Sequence, residues 1–413
     1  MERDNTVDSW KKVTGQDMLS EVLRTGAQRL LASAIESEVK EFLGRPGQET
    51  SEGPRQLVRN GFLPERNVQT GIGPVPVRVP RVRDRTEQKR SFHSDLLPPY
   101  QRRTLTVQET LPLLYLKGLS TGQFPEALQG LFGSKQGLSP ASICRLKEAW
   151  KQEYETWSKR DLTKKLVYVW ADGVYFSTRL EGDKSCLLVL IGVDEEGNKI
   201  PLGISDGLRE SSLSWKELLV QLQNQGLQAP LLAVGDGALG FWRALCEVYP
   251  ATKQQRCWVH KTRNVLDKLP VSLQDKARKH LQNIWRSDTQ EEAESQLKKF
   301  GSLYRSKHLK AVECLEKDRD ELLTFFSFPA EHWHNIRSTN LIESTFAAVR
   351  LRTYKTRGCL SRATALAMVF KLMQNAQTRW FKFQHTEKLK QLLEGNTFVN
   401  GKIQQKTSKG VAA

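Results

Sequence analysis

The sequence predicts an α/β protein: a mixed sheet with a helical insertion, preceded by a mostly helical N-terminal region. Three observations predict it. From residue 166 to 259, apolar β-branched and aromatic runs recur, first joined by a hairpin and then alternating with helical patterns. From 271 to 326 the alternation stops and only helical stripes remain. Before 160 the pattern is helical in short pieces, broken by one basic β segment.

Residues 1–100 read as a polar lead, a helix and a small basic β segment. Leu19, Val22, Leu23, Leu30, Leu31, Ile35 and Val39 recur near helical spacing. Residues 44–66, rich in Gly, Pro, Arg and Glu, read as a loop. In GIGPVPVRVPRVR, Val75, Val77, Val79 and Val82 alternate with Pro and Arg, which predicts an edge strand. Arg78, Arg81, Arg83, Arg85, Lys89 and Arg90 make it basic, either as a solvated strand edge or as a nucleic-acid contact.

Residues 101–160 predict helices over Leu105–Leu116, over Gly122–Leu131, and after Ser139-Pro140, a cap followed by the residue type favoured at the first helical position. The last helix sets Ile143, Leu146 and Trp150 on one face and Arg145, Lys147 and Lys151 on the other. A helix-turn-helix-like DNA-binding region suits this pattern, and so does a plain bundle.

Residues 161–270 carry LVYVWADGVYF, a buried strand, and CLLVLIGVDEEGNKIPLGI, a hairpin turning at residues 194–198. A helix over Ser214–Leu222, a strand over 231–234, a helix over Leu239–Val248 and a strand over Lys253–Val259 follow. A meander followed by alternation predicts a sheet of mixed direction. Residues 271–330 form the helical insertion, with one stripe at Leu273, Ala277, Leu281 and Ile284 and a second at Ala293, Leu297, Phe300 and Tyr304. A third runs through Cys314, Leu315, Leu322 and Phe325. Residues 331–390 hold a helix from about Leu341, a basic segment and a helix over 362–383, and 391–413 is a polar tail.

The 413 residues carry 63 Lys and Arg against 46 Asp and Glu, a net charge of +17. That excess points to a polyanionic partner, nucleic acid ahead of an anionic membrane. No run approaches the ~20 apolar residues of a spanning helix, and the start is polar with no apolar signal core. The six cysteines form no CxxC pair, so reduced thiols in a cytosol-like compartment are expected. GxxxxGK[ST] and HExxH are absent, which leaves a nucleotide-hydrolysing motor and a zincin without support.

Three acids stand out. Asp172 and Asp236 each follow an apolar run and precede Gly, as ligand-binding acids at strand ends do and as ordinary Asp-Gly turns also do. Glu343 falls in the first turn of a helix that Asn340 can cap, where an acid is favoured by the dipole alone. Arg350 lies two turns further along the same face. Three carboxylates suit a two-magnesium site, in which paired ions ~3.5–4 Å apart assist phosphodiester chemistry. Cys257-x-x-His260 is half of a zinc pattern, with His332 and His334 as the conceivable other half; a buried Cys and a capping His are the alternative. Arg350, Arg352, Lys355 and Arg357 crowd eight residues around Tyr354, a run suited to phosphate binding with stacking on an unpaired base.

The blocks ADGVY, GDGALGFW, CWVHKTRNVLDKLP and RSTNLIESTFAAVRLRT, with YLKGLSTGQF upstream, resemble those of the bacterial Mutator-type insertion-sequence transposases. The resemblance spans nearly the whole chain. It implies a ribonuclease-H-like catalytic domain split into 161–270 and 331–390, with a DDE triad of Asp172, Asp236 and Glu343. It implies two Mg²⁺ ions on that triad, with Mn²⁺ as a substitute, nicking at element ends and transfer of the freed 3′-hydroxyl to target DNA. Cys257 and His260 match the family's C/DxxH block, so His260 is expected near the scissile phosphate as a positioner or proton relay rather than a metal ligand. Arg337 and Arg350 are expected to position DNA near the site. Lys261, Arg263, Arg352, Lys355 and Arg357 are expected on phosphates, and Arg145 and Lys147 on terminal repeats. The implied partners are double-stranded DNA, both terminal inverted repeats and target, and a second copy of the chain in a homodimer or larger assembly. The implied location is cytoplasmic, at the nucleoid. A catalytically silent DNA-binding regulator of a mobile element is the alternative.

Overall fold

The computed structural model describes residues 15–44, 56–86, 89–117, 119, 123–132, 140–177, 184–207, 210–237, 239–355 and 361–404. The polar start, the Ser139 cap, Arg357 and residues 405–413 lie outside this set, and the side chains of Arg352, Tyr354 and Lys355 are not described. The chain divides into two compact units, Met1–Leu146 and Lys147–Ala413.

The first unit opens with α1 (Gly15–Leu43). The segment read as a loop holds β1 (Leu57–Phe62), and β2 (Arg66–Thr70) follows it. The expected single edge strand is two: β3 (Gly73–Val77), antiparallel to β2, and β4 (Pro80–Asp84), antiparallel to β1. The chain changes partner between Val77 and Pro80, where one run of alternating valines gives no hint of a break. Val68, Val75, Val77 and Val79 pack with Ile35 and Leu97 into a small core. The helical stripe is buried only at Ile35 and Val39; Leu19, Val22, Leu23 and Leu30 are exposed. Helices α2 (Leu105–Leu116) and α3 (Phe124–Phe132) appear where the pattern predicts them, as does α4 (Pro140–Trp157), which has Pro at its first position and continues past Leu146 into the residues of the second unit.

The second unit is built on a five-stranded sheet in the order β7-β6-β5-β8-β9. Its strands are β5 (Leu166–Ser177), β6 (Lys184–Asp194), β7 (Lys199–Gly207), β8 (Leu232–Gly235) and β9 (Lys253–Arg256). β5, β6 and β7 form the predicted antiparallel meander, and β8 and β9 run parallel to β5. Leu187 to Ile191 are wholly buried, which is why β6 reads as an unbroken apolar run. One face packs on α5 (Ser212–Asn224) and α6 (Leu239–Val248), with Trp215 edge-on to Phe241 at 4.9 Å. On the other face Tyr168 meets Phe328, His332 and Phe383.

After β9 come α7 (Trp258–Leu266), α8 (Val271–Arg286), α9 (Gln290–Tyr304), α10 (Leu309–Glu316) and α11 (Arg319–Leu323). The third predicted stripe is therefore two short helices and a 3-10 turn at Thr324–Ser327 rather than one helix. The chain then forms α12 (Trp333–Ile336), α13 (Asn340–Lys355), α14 (Arg362–Gln377) and α15 (Thr386–Leu393). No described helix is long and apolar enough to cross a membrane.

Candidate active site

Asp172 is not the last residue of its strand. β5 continues to Ser177, and Asp172 pairs with Val189 of β6. On its other side, the parallel pairing with β8 ends at Ala171 opposite Gly235. Asp172 and Asp236 each stand one residue beyond that rung, so parallel register alone brings the two acids to one level of the sheet. β9 stops opposite Gly235 as well, and the Cys257 N–H donates to the Gly235 carbonyl at 2.9 Å. Cys257 then opens α7 as its N-cap, which carries His260 on the first turn.

Glu343 arrives from a distant part of the chain, and three bonds fix its approach. The Trp170 indole donates to the Ser338 carbonyl at 3.2 Å. The Trp258 N–H donates to the Arg337 carbonyl at 2.9 Å. The Thr339 N–H donates to the Cys257 sulfur at 3.3 Å. α13 begins at Asn340, so Thr339, not Asn340, holds the cap position. The Thr339 hydroxyl, fully buried, donates to Glu343 Oε1 at 2.8 Å and faces His260 Nδ1 at 3.3 Å.

His260 sits between the acids. Its Nδ1 is 3.9 Å from Asp236 and its Nε2 is 3.8 Å from Glu343. Contact with the Cys257 sulfur, then the Asp236 and Glu343 charges, push the imidazole up to about 9 against the desolvation that opposes it. Burial pushes the Asp172 carboxyl up to about 7; the Gly173 N–H and His260 pull the other way, and the charges of Glu210 and Glu343 add to the rise.

Glu210 is the acid that sequence reasoning missed. It lies between β7 and α5, in no periodic pattern. A Cβ on Gly173 would sit 2.1 Å from its Oε1, and one on Gly240 would sit 2.3 Å from its backbone oxygen. The glycines of ADGVY and GDGALG thus make room for one segment. Burial and the Asp236 charge raise the Glu210 carboxyl.

Among the described residues, one group of three has all its donor atoms within 4.8 Å of one another: Cys257, His260 and Glu343. The Cys257 sulfur already accepts from the Thr339 N–H, and the Thr339 hydroxyl lies 3.3 Å from it. The conceivable other half of a zinc site is elsewhere: His332 is buried against the Tyr168 hydroxyl at 2.7 Å, and His334 is exposed. The oxygen donors of Asp172, Asp236 and Glu343 suit hard divalent ions.

The expected basic contacts divide. Arg337 is half-buried, donates to the Trp285 and Trp333 carbonyls, and lies over the Trp285 ring at 5.0 Å. Burial and then Arg286 push it down to about 10. It lines a cavity of about 410 Å³ with Arg263, Trp258 and Trp285. Lys261, expected on DNA, is buried and donates to Asp318 and to the Cys314 carbonyl. Arg263, Arg350 and Arg145 are exposed, and Lys147 is half-buried.

These features define a class: a strongly basic α/β protein whose acids and one imidazole gather at the end of a parallel strand pair. The sequence matches the family described as "Transposase, Mutator family" over residues 2–383, and the chain belongs to that family. It is 51% identical over 279 residues to the transposase for insertion sequence element IST2 of Acidithiobacillus ferrooxidans, covering 67% of this chain and 94% of that protein. It is 45% identical over 298 residues to the IS6120 transposase of Mycolicibacterium smegmatis, covering 72% and 92%. A chain of the solved complex of the simian T-cell lymphotropic virus intasome with PP2A regulatory subunit B56 gamma matches 32% of this chain and 52% of its own at 15% identity and a TM-score of 0.18, too low to inform the fold.

Proposed function

We propose that this family member is a catalytically competent DDE transposase with a ribonuclease-H-like catalytic domain. It binds the terminal inverted repeats of its element, cleaves DNA by phosphodiester hydrolysis, and joins the 3′-hydroxyl ends to target DNA. The observation that carries this is the convergence of Asp172, Asp236 and Glu343 from three distant segments, with His260 within 4 Å of the last two. A regulator that no longer catalyses would have no use for that convergence.

Asp172, Asp236 and Glu343 would hold two Mg²⁺ ions, or Mn²⁺ in their place. When bound, such ions activate the attacking hydroxyl and stabilise the leaving oxygen. Thr339 holds Glu343 by its hydroxyl, which leaves the second carboxylate oxygen for a ligand. His260, within 4 Å of Asp236 and Glu343, offers an imidazole N–H beside the acids toward a phosphate oxygen. Arg350 and the basic residues after it supply charge to the strand leaving the site. Arg145 and Lys147 on α4 are the residues assigned to the element ends, and bringing two ends together would call for a homodimer or larger assembly.

The test is divalent-dependent nicking of duplexes bearing the element's own ends, and their joining to a supercoiled target. Products that need metal and the triad support the reading. End-specific binding with no product in Mg²⁺ supports the silent regulator.

A further inference from the structure

We propose that a second cavity, on the other side of Asp236 and Gly237, is a phosphate subsite that grips the DNA backbone beside the bond being cut. The inference rests on the function proposed above and adds a contact that the sequence reading did not contain.

The cavity has a volume of about 470 Å³ and is lined by Gly237, Arg256, Lys261, Lys268, Lys310 and Lys317, with Asn264, Cys314 and the carboxylates Glu313 and Asp318. Asp318 is already taken by Lys261. The balance is therefore cationic: Lys268, Lys310 and Lys317 are exposed at the rim, facing one exposed acid, Glu313.

Arg256 is the decisive residue. It is 9% exposed, yet its Nε and Nη1 are buried with no hydrogen-bond partner. Its guanidinium carbon lies over Trp242, 3.9 Å from the ring centre. A buried cation stacked on an aromatic ring with unmet donors is poorly satisfied by the protein alone. Asp318, Glu321 and Asp236 act on its charge from nearby, and a phosphate in the cavity would add an acceptor for the part of the guanidinium fork that lines it.

Register ties the cavity to the acids. Arg256 is the last residue of β9 and pairs with Gly235, the residue before Asp236. Trp242, beneath the guanidinium, donates its indole N–H to the Asp236 carbonyl at 2.7 Å. Gly237 borders the cavity, and a Cβ there would meet nothing within 4 Å, so the wall beside Asp236 is open. A strand with one phosphate at the acids would have a neighbouring phosphate within reach of Arg256.

The test scans single methylphosphonates, which are neutral, along both strands around the cut that the wild-type protein makes in Mg²⁺. Binding of each duplex is measured in EDTA by fluorescence anisotropy. One neutralised phosphate next to the cut is expected to weaken wild-type binding by about tenfold. Arg256→Gln is expected to weaken binding to unmodified DNA comparably and to be indifferent to that same methylphosphonate. Because Arg256 is buried, the exposed pair Lys310→Glu with Lys317→Glu is measured beside it and is expected to blunt the same position.

A wild-type protein that cuts DNA, with no phosphate whose effect vanishes in either variant, overturns the subsite and leaves the proposed function standing. Competition by inorganic phosphate in wild type but not in Arg256→Gln, with a flat scan, makes this a free-phosphate site and overturns the DNA assignment. A wild-type protein that neither cuts nor binds element ends overturns both.

Discussion

Asp172 and Asp236 stand side by side, each one residue past the Ala171–Gly235 rung that ends the parallel pairing of β5 and β8. Everything else at the site is arranged around this level of the sheet. The Cys257 N–H reaches it through the Gly235 carbonyl, His260 follows on α7, and Glu343 is brought in by Ser338 and Thr339.

The Thr339 hydroxyl can be removed with little change of shape. Thr339→Val deletes the donor to Glu343 Oε1 and leaves a β-branched side chain. Strand cleavage is expected to fall about tenfold or more, at a stability cost of about 1–2 kcal/mol. Thr339→Ser should keep most of the activity. Equal activity in all three proteins would show that the hydroxyl does not orient Glu343.

The metal-free protein should lose stability as pH rises. Asp172 is raised from 3.8 to about 7 and His260 from 6.5 to about 9. Each binds its proton more tightly folded than unfolded, so each contributes stability at low pH that is lost on the alkaline side. The Asp172 part is full below about pH 4 and gone above 7; the His260 part is full below about 6.5 and gone above 9. Urea melts at pH 5, 7 and 9 in EDTA should show a decline on the order of a few kcal/mol. Asp172→Asn should flatten its lower half. A profile between pH 5 and 7 that is the same in Asp172→Asn as in wild type would contradict the burial of Asp172.

The two glycines that face Glu210 should not be equivalent. At Gly240 an added Cβ meets the Glu210 backbone oxygen at 2.3 Å and the Ser211 carbonyl carbon at 2.6 Å, so backbone must shift. At Gly173 it meets the end of the Glu210 side chain, which can swing away. Gly240→Ala should cost about 1–3 kcal/mol, and Gly173→Ala clearly less. Denaturant melts of both variants at one pH decide it; the reverse order would mean that the Glu210 segment is not held as described.

Much of this was legible in the sequence, for physical reasons that differ by element. Leu166–Ala171 of β5 and Cys186–Val193 of β6 are buried on both faces, so their apolar runs are unbroken and easily seen. LVYVWADGVYF reads as one strand and covers nearly all of β5, but an acid after an apolar run also suggests a strand end; β5 goes on pairing with β6 after β8 has stopped, so only the parallel pairing ends before Asp172. Thr339 was passed over for Asn340 because both are good caps and one residue decides between them. Lys261 reads as exposed in a basic helix, but its partner Asp318 is 57 residues away and invisible to local pattern. Glu210 left no periodic signal at all; only the glycines at 173 and 240, which each precede or follow an apolar run, hinted that backbone or side chain approaches closely there.

The central claim is that Asp172, Asp236 and Glu343 act as one metal-dependent cleavage and joining centre. The most direct measurement is a strand-transfer reaction with purified protein, labelled element-end duplexes and a supercoiled target, in Mg²⁺ and in EDTA, for wild type and for Asp172→Asn, Asp236→Asn and Glu343→Gln. The account predicts joined product only with wild type and metal, a fall of about 10³-fold or more in each variant, and end binding retained in all four. Joined product from any one of the variants at the wild-type rate would contradict it.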